Sequence, residues 1–121
     1  MDLLEASVER GSIVHRATLL PLDNAVLALF YDGSIKIGTL AVSTAGLRGG
    51  STGTSSVLLG GKYLIASRAL AEKVAATFNK MGIVSLNTQL AEGEALRLYS
   101  TLLDMARQTG PAGPQDTGSK D

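Results

Sequence analysis

Cysteine and tryptophan are both absent, a single histidine occurs, and aromatic side chains make up only 4% of the 121 residues. Without cysteine there can be no disulfide, no thiolate metal site and no cysteine nucleophile, and a reducing compartment suits such a chain. Neither sign of charge is in excess, with 11 basic and 11 acidic residues. No net field therefore draws the protein to nucleic acid or to an anionic membrane, and the shortage of rings removes a stacking platform for bases. No apolar run approaches the roughly 18 residues of a membrane span. The opening residues Met1-Asp2-Leu3-Leu4-Glu5 carry acid where a signal peptide needs base. The expectation is a soluble cytoplasmic protein, with the nucleus also open by size, whose partners are recognised by shape and apolar contact. Neither nucleic acid nor a membrane is expected among them.

Hydrophobic side chains make up 45% of the sequence, enough for one domain that buries about two thirds of its unfolded surface. Leu3 to Val8 reads as a short strand, Arg10-Gly11 as a turn, and Ser12 to Leu20 as a second extended segment. Pro21-Leu22-Asp23-Asn24 is a turn, and Ala25 to Tyr31 is an apolar strand. Asp32-Gly33 supplies positive φ for a two-residue hairpin, so Ile35 to Ser43 is expected to return as its antiparallel neighbour. The stretch from Gly46 to Ser55 is rich in glycine and hydroxyl residues and reads as a mobile loop. Val57-Leu58-Leu59 follows as a strand. Helical spacing of Tyr63, Leu70, Val74, Phe78 and Met81 predicts a helix over Lys62 to Lys80, with Gly82 as its C-terminal glycine. Ile83 to Thr88 reads as another strand, and Ala95, Leu98, Tyr99, Leu102 and Ala106 form the stripe of a second helix over Ala91 to Arg107. The domain thus spans residues 1–107, and 108–121 reads as a disordered tail. The fold class is α+β, a six-stranded mainly antiparallel sheet with two helices on one face.

Strand side chains alternate between faces, so Leu27 and Leu29 point one way and Val26, Ala28 and Phe30 the other. Both sets are apolar. A sheet with helices on only one side normally shows water a polar second side, so either the chain folds over both faces itself or a partner covers the second. A second subunit's sheet is the simplest cover, giving a sheet-to-sheet β-sandwich dimer. Val26, Leu27, Leu29 and Phe30 are therefore the candidate dimer or core residues.

Chemistry-bearing patterns are few. His15 has no aspartate, cysteine or serine at a motif spacing and reads as structural. Glu92 and Glu94 open the second helix, where carboxylates complement the helix dipole. Arg68, Glu72, Lys73 and Lys80 form a solvated face. Gly49-Gly50-Ser51-Thr52-Gly53 offers backbone N–H groups but lacks the lysine and hydroxyl that a phosphate loop needs directly before a helix. Leu47, Arg48, Gly49 and Gly50 are better read as a loop that orders on a partner. No catalytic, cofactor or metal site is expected.

The succession Asn24-Ala25-Val26-Leu27-Ala28-Leu29-Phe30-Tyr31, then Ile37-Gly38-Thr39-Leu40, then Val57-Leu58-Leu59-Gly60 before a helix resembles the proteasome assembly chaperone 3 family. The likeness runs from about Ser12 to Arg107; its motifs are short and apolar, and their collinear order carries the weight. It implies a six-stranded antiparallel sheet paired through its free face, as a dimer with itself or with a related type 4 chaperone subunit. It also implies an alpha-type proteasome subunit as client during assembly of the 20S alpha ring, with no enzymatic step and no cofactor. The loop at Gly46 to Ser55 and the tail depart from that family. The competing reading is a longin- or roadblock-like scaffold dimer in trafficking or signalling; those folds place a helix at the start or between early strands, whereas four extended segments come first here.

Overall fold

A computed structural model of the chain describes residues 2–44 and 55–109. The expectations for Leu47, Arg48, Gly49, Gly50 and the rest of that loop up to residue 54, and for the tail beyond Thr109, lie outside the described residues. Among the described residues, five strands precede the first helix: β1 (Leu4–Arg10), β2 (Ile13–Pro21), β3 (Ala25–Asp32), β4 (Thr39–Ser43) and β5 (Ser55–Leu59). Then come α1 (Leu64–Phe78), β6 (Met81–Asn87) and α2 (Glu92–Gln108).

The first three strands form an antiparallel meander. β1 and β2 pair from Leu4↔Leu19 to Arg10↔Ile13, which leaves Gly11 and Ser12 as a two-residue turn. Gly11 has φ 62°, the positive value such a turn needs if it is to follow the twist of its strands. β2 and β3 pair from His15↔Asp32 to Pro21↔Val26 across a turn closed by the Leu22 N–H on the Ala25 carbonyl at 2.7 Å.

The expected hairpin between β3 and β4 does not form. Gly33 does turn the chain, with φ 71° and its N–H on the Val14 carbonyl at 2.7 Å. Residues 34–38 then run on without pairing, and β6 takes the place beside β3, parallel to it from Ala25↔Met81 to Tyr31↔Asn87. β4 lies on the far side of β6, antiparallel to it, giving the order β1-β2-β3-β6-β4-β5. An Asp-Gly pair reports local backbone shape only. β6 meets β3 over seven residues, whereas β4 has only five strand residues to offer. The sheet is therefore mixed: one pairing is parallel, while β1–β2, β2–β3, β4–β6 and β4–β5 are antiparallel.

The glycine expected to end α1 has another task. The left-handed residue is Asn79, at φ 56°, whose N–H bonds the Ala75 carbonyl. Gly82 lies inside β6 directly beneath α1, where a Cβ would come within 2.6 Å of the Ala71 carbonyl oxygen and 3.0 Å of the Ala75 nitrogen. It is the close approach of two backbones that this position requires.

Both helices lie on one face. α1 packs on β6, β4, β5 and β3, α2 on β1 and β2, and the two helices touch each other. Val26, Ala28 and Phe30 of β3 point into this layer and join Leu98, Tyr99 and Leu102 in one buried cluster. Phe30 meets Tyr99 edge-on, with ring centroids 5.6 Å apart. The whole α2 stripe, Ala95, Leu98, Tyr99, Leu102 and Ala106, is buried as its spacing predicts, together with Leu103.

Candidate functional site

The alternation of β3 places Leu27 and Leu29 on the face away from the helices, where both remain partly exposed. Register extends that face sideways. Val42, Ile83, Leu27 and Leu20 stand in one row across β4, β6, β3 and β2. The next row holds Leu59, Leu40, Ser85, Leu29 and Thr18. Leu20, Leu27, Leu29, Leu40, Val42 and Ile83 are all partly exposed, and Leu59 is 62% exposed. Toward β1 the same face turns polar at Glu5, Ser7 and Arg16. Among the described residues, no element packs on this surface. An apolar centre beside a polar margin is the anatomy of a protein interface. Of the four candidate residues on β3, Leu27 and Leu29 belong to it, while Val26 and Phe30 belong to the core beneath the helices.

A second feature, which sequence reading does not find, is a buried polar knot on the helix side of the sheet at the end of β3. The Asp32 carboxylate accepts hydrogen bonds from the Tyr99 hydroxyl, from His15 Nδ1 at 2.7 Å, from the Thr88 hydroxyl at 2.9 Å and from the Gln89 N–H at 2.9 Å. Burial pushes its pKa up, yet these four donors together outweigh burial and hold it below the ordinary carboxylate value. Burial, with the Asp32 carboxylate as its hydrogen-bond acceptor, pushes the Tyr99 hydroxyl well above the ordinary tyrosine value, so it serves as a neutral donor. His15, 2% exposed, is tied to Asp32 and also lies edge-on to Tyr99. The knot joins β2, β3, the segment after β6 and α2, with its imidazole enclosed. His15, expected from its lone position to be structural, lies buried in this knot. Three of the donors come from residues 56 to 67 positions along the chain, so no local motif announces them.

The start of α1 is built the same way. Tyr63, at φ 59°, takes a left-handed backbone that costs a bulky residue about 1–2 kcal/mol. Its hydroxyl donates to the carbonyls of Thr88 at 2.7 Å and Leu90 at 2.8 Å, which holds it there. Burial and the nearby carboxylates of Asp32 and Glu92 raise its pKa. Glu92 lies in the first turn of α2, as expected, but its carboxylate accepts the N–H groups of Ile65 and Ala66 at 2.7 and 2.8 Å and so caps α1 instead. Glu94 pairs with Arg10 at 3.1 Å. Among the described residues, no three histidine or carboxylate groups stand together as metal ligands would, and no helix is long and apolar enough to cross a membrane.

The sequence matches no model of a known protein family and no curated protein.

Proposed function

We propose that this protein is a non-catalytic assembly chaperone whose outer sheet face pairs with the same face of a second subunit, a copy of itself or a related type 4 chain. The dimer would hold an alpha-type proteasome subunit while the 20S alpha ring is built, in the cytoplasm and, by size, also in the nucleus. The observation that carries the pairing is the seven-residue apolar face spanning β2, β3, β6, β4 and β5. A surface of that breadth without a cover is uncommon on a monomer. The client rests on the resemblance of residues 24–31, 37–40 and 57–60, which fall on β3, the approach to β4, and β5 with the residue after it. The parallel β3–β6 pairing departs from the antiparallel sheet that the likeness implies, while the order of the segments is kept.

Affinity capture from a cell extract with the tagged chain tests this reading. Enrichment of alpha-type proteasome subunits is the expected result. Capture of small-GTPase regulators or trafficking factors in their place would point to the longin- or roadblock-like scaffold, which shares the sheet pairing but not the client.

A further inference from the structure

Six of the eight large apolar side chains that stand exposed among the described residues gather at one end of the molecule. This is the end where β3, β5 and β6 finish, where β2 and β4 begin, and where both helices start. Ile13 opens β2, Ile35 and Ile37 lie between β3 and β4, Leu59 closes β5, and Leu64 and Ile65 open α1. Ile37, Leu59 and Ile65 are 58%, 62% and 70% exposed. Only Leu3 and Met105 lie elsewhere. The loops that carry these residues are held firmly: the Asn87 side chain donates to the Ile37 carbonyl at 3.2 Å, and the Thr39 hydroxyl to the Lys62 carbonyl at 2.6 Å. Apolar groups fixed in water on tied loops are the mark of a binding surface.

The charges there say what would bind. The carboxylates of Asp32 and Glu92 are occupied by the hydrogen bonds already described, and Glu94 by Arg10. Arg16, Lys36 and Lys62 have no carboxylate partner among the described residues; Lys36 bonds the Asp32 carbonyl, and Lys62 rests over the Tyr63 ring. Two clefts open between these groups. One of about 390 Å³ is lined by Ile13, Arg16 and Lys36, the other, of about 730 Å³, by Lys62, Leu64, Ile65 and Leu90. We infer that this end is a docking surface for a protein segment that alternates apolar and acidic side chains, the apolar ones entering the clefts and the carboxylates reaching Arg16, Lys36 and Lys62. An anionic membrane fits less well. The end is grooved and the chain has no net charge. The surface borders the outer sheet face, sharing Leu59 and Arg16 with its edge, and does not depend on the identity of the client.

The test is nuclear magnetic resonance on the isotope-labelled full chain, titrated with a short peptide of alternating leucine and glutamate, with its leucine–lysine counterpart, and with phosphatidylserine vesicles. The expected result is that the acidic peptide shifts the amides of Ile13, Ile35, Ile37, Leu64 and Ile65. Binding should weaken roughly tenfold in Lys36→Glu/Lys62→Glu, whose exposed positions leave folding intact by circular dichroism. Equal binding of both peptides, binding of neither, or shifts confined to Leu27, Leu29 and Ile83 would overturn the inference. Vesicle binding through these same residues would overturn it in favour of a membrane surface.

Discussion

Asp32 shows how much a single side chain can organise here, since its carboxylate joins two strands, a loop and a helix. Its folded pKa lies below the unfolded value of about 3.9, so the stability it contributes is complete above that pH and is lost as pH falls through the lower, folded value. Asp32→Asn should cost about 1–3 kcal/mol at neutral pH, because buried donors lose part of their acceptor. The variant's stability should also fall less steeply than wild type in the acid range below about pH 4. Urea unfolding across pH 7 to 2 measures both effects, and parallel curves for the two proteins would show that the knot carries no such linkage. Gly82→Ala tests a different constraint. The new methyl group would press on the backbone of α1 at Ala71 and Ala75, which cannot step aside as a side chain can. A loss of about 1–3 kcal/mol is expected, seen as a lower Tm with the fold retained.

At the level of elements, β3 presents a core face and an outer face within one strand, and each carries its own prediction. Phe30 is fully buried beneath Tyr99, so Phe30→Lys should place an uncompensated charge in the core and unfold the chain. Leu27 stands on the opposite face, and Leu27→Lys should leave a folded protein that no longer pairs. Circular dichroism with size-exclusion chromatography distinguishes the two, and a Leu27→Lys protein that stays dimeric would remove the outer face from the interface. Much of this architecture was legible in the sequence because periodicity is local: the period of two along β3 divides its side chains into a buried and a partly exposed set, and the 3.6-residue stripe of α2 buries the residues it picks out. What escaped was long-range. Asp32-Gly33 has the right backbone for a hairpin, yet which strand lies beside β3 is decided far along the chain by β6, from Met81 onward. The cap that Glu92 gives α1 reaches back across 26 and 27 positions, and nothing near Tyr63 signals it. As for the candidate site, alternation alone showed two apolar faces on β3, but only the helices' positions decide which of them is free.

For the whole molecule, the outer face sets the quaternary expectation. Sedimentation at micromolar concentration should give a dimer, either of this chain or, on co-expression, with a related subunit, burying at least roughly 1,200 Å² in total. A persistent monomer under both conditions would leave the seven apolar side chains without a cover and the sandwich without support. The insertion of β6 has a consequence in time as well as in space. While the chain emerges from the ribosome, β1, β2 and β3 can fold back on one another, but β4 and β5 form a two-stranded ribbon that is marginal by itself. In the finished sheet these two parts are joined only through residues 81–87 of β6. Ile83 lies between Val42 on one side and Leu27 on the other, so the outer face is completed by the last strand among the described residues. If the outer face is the pairing surface, it is complete only when the whole sheet is.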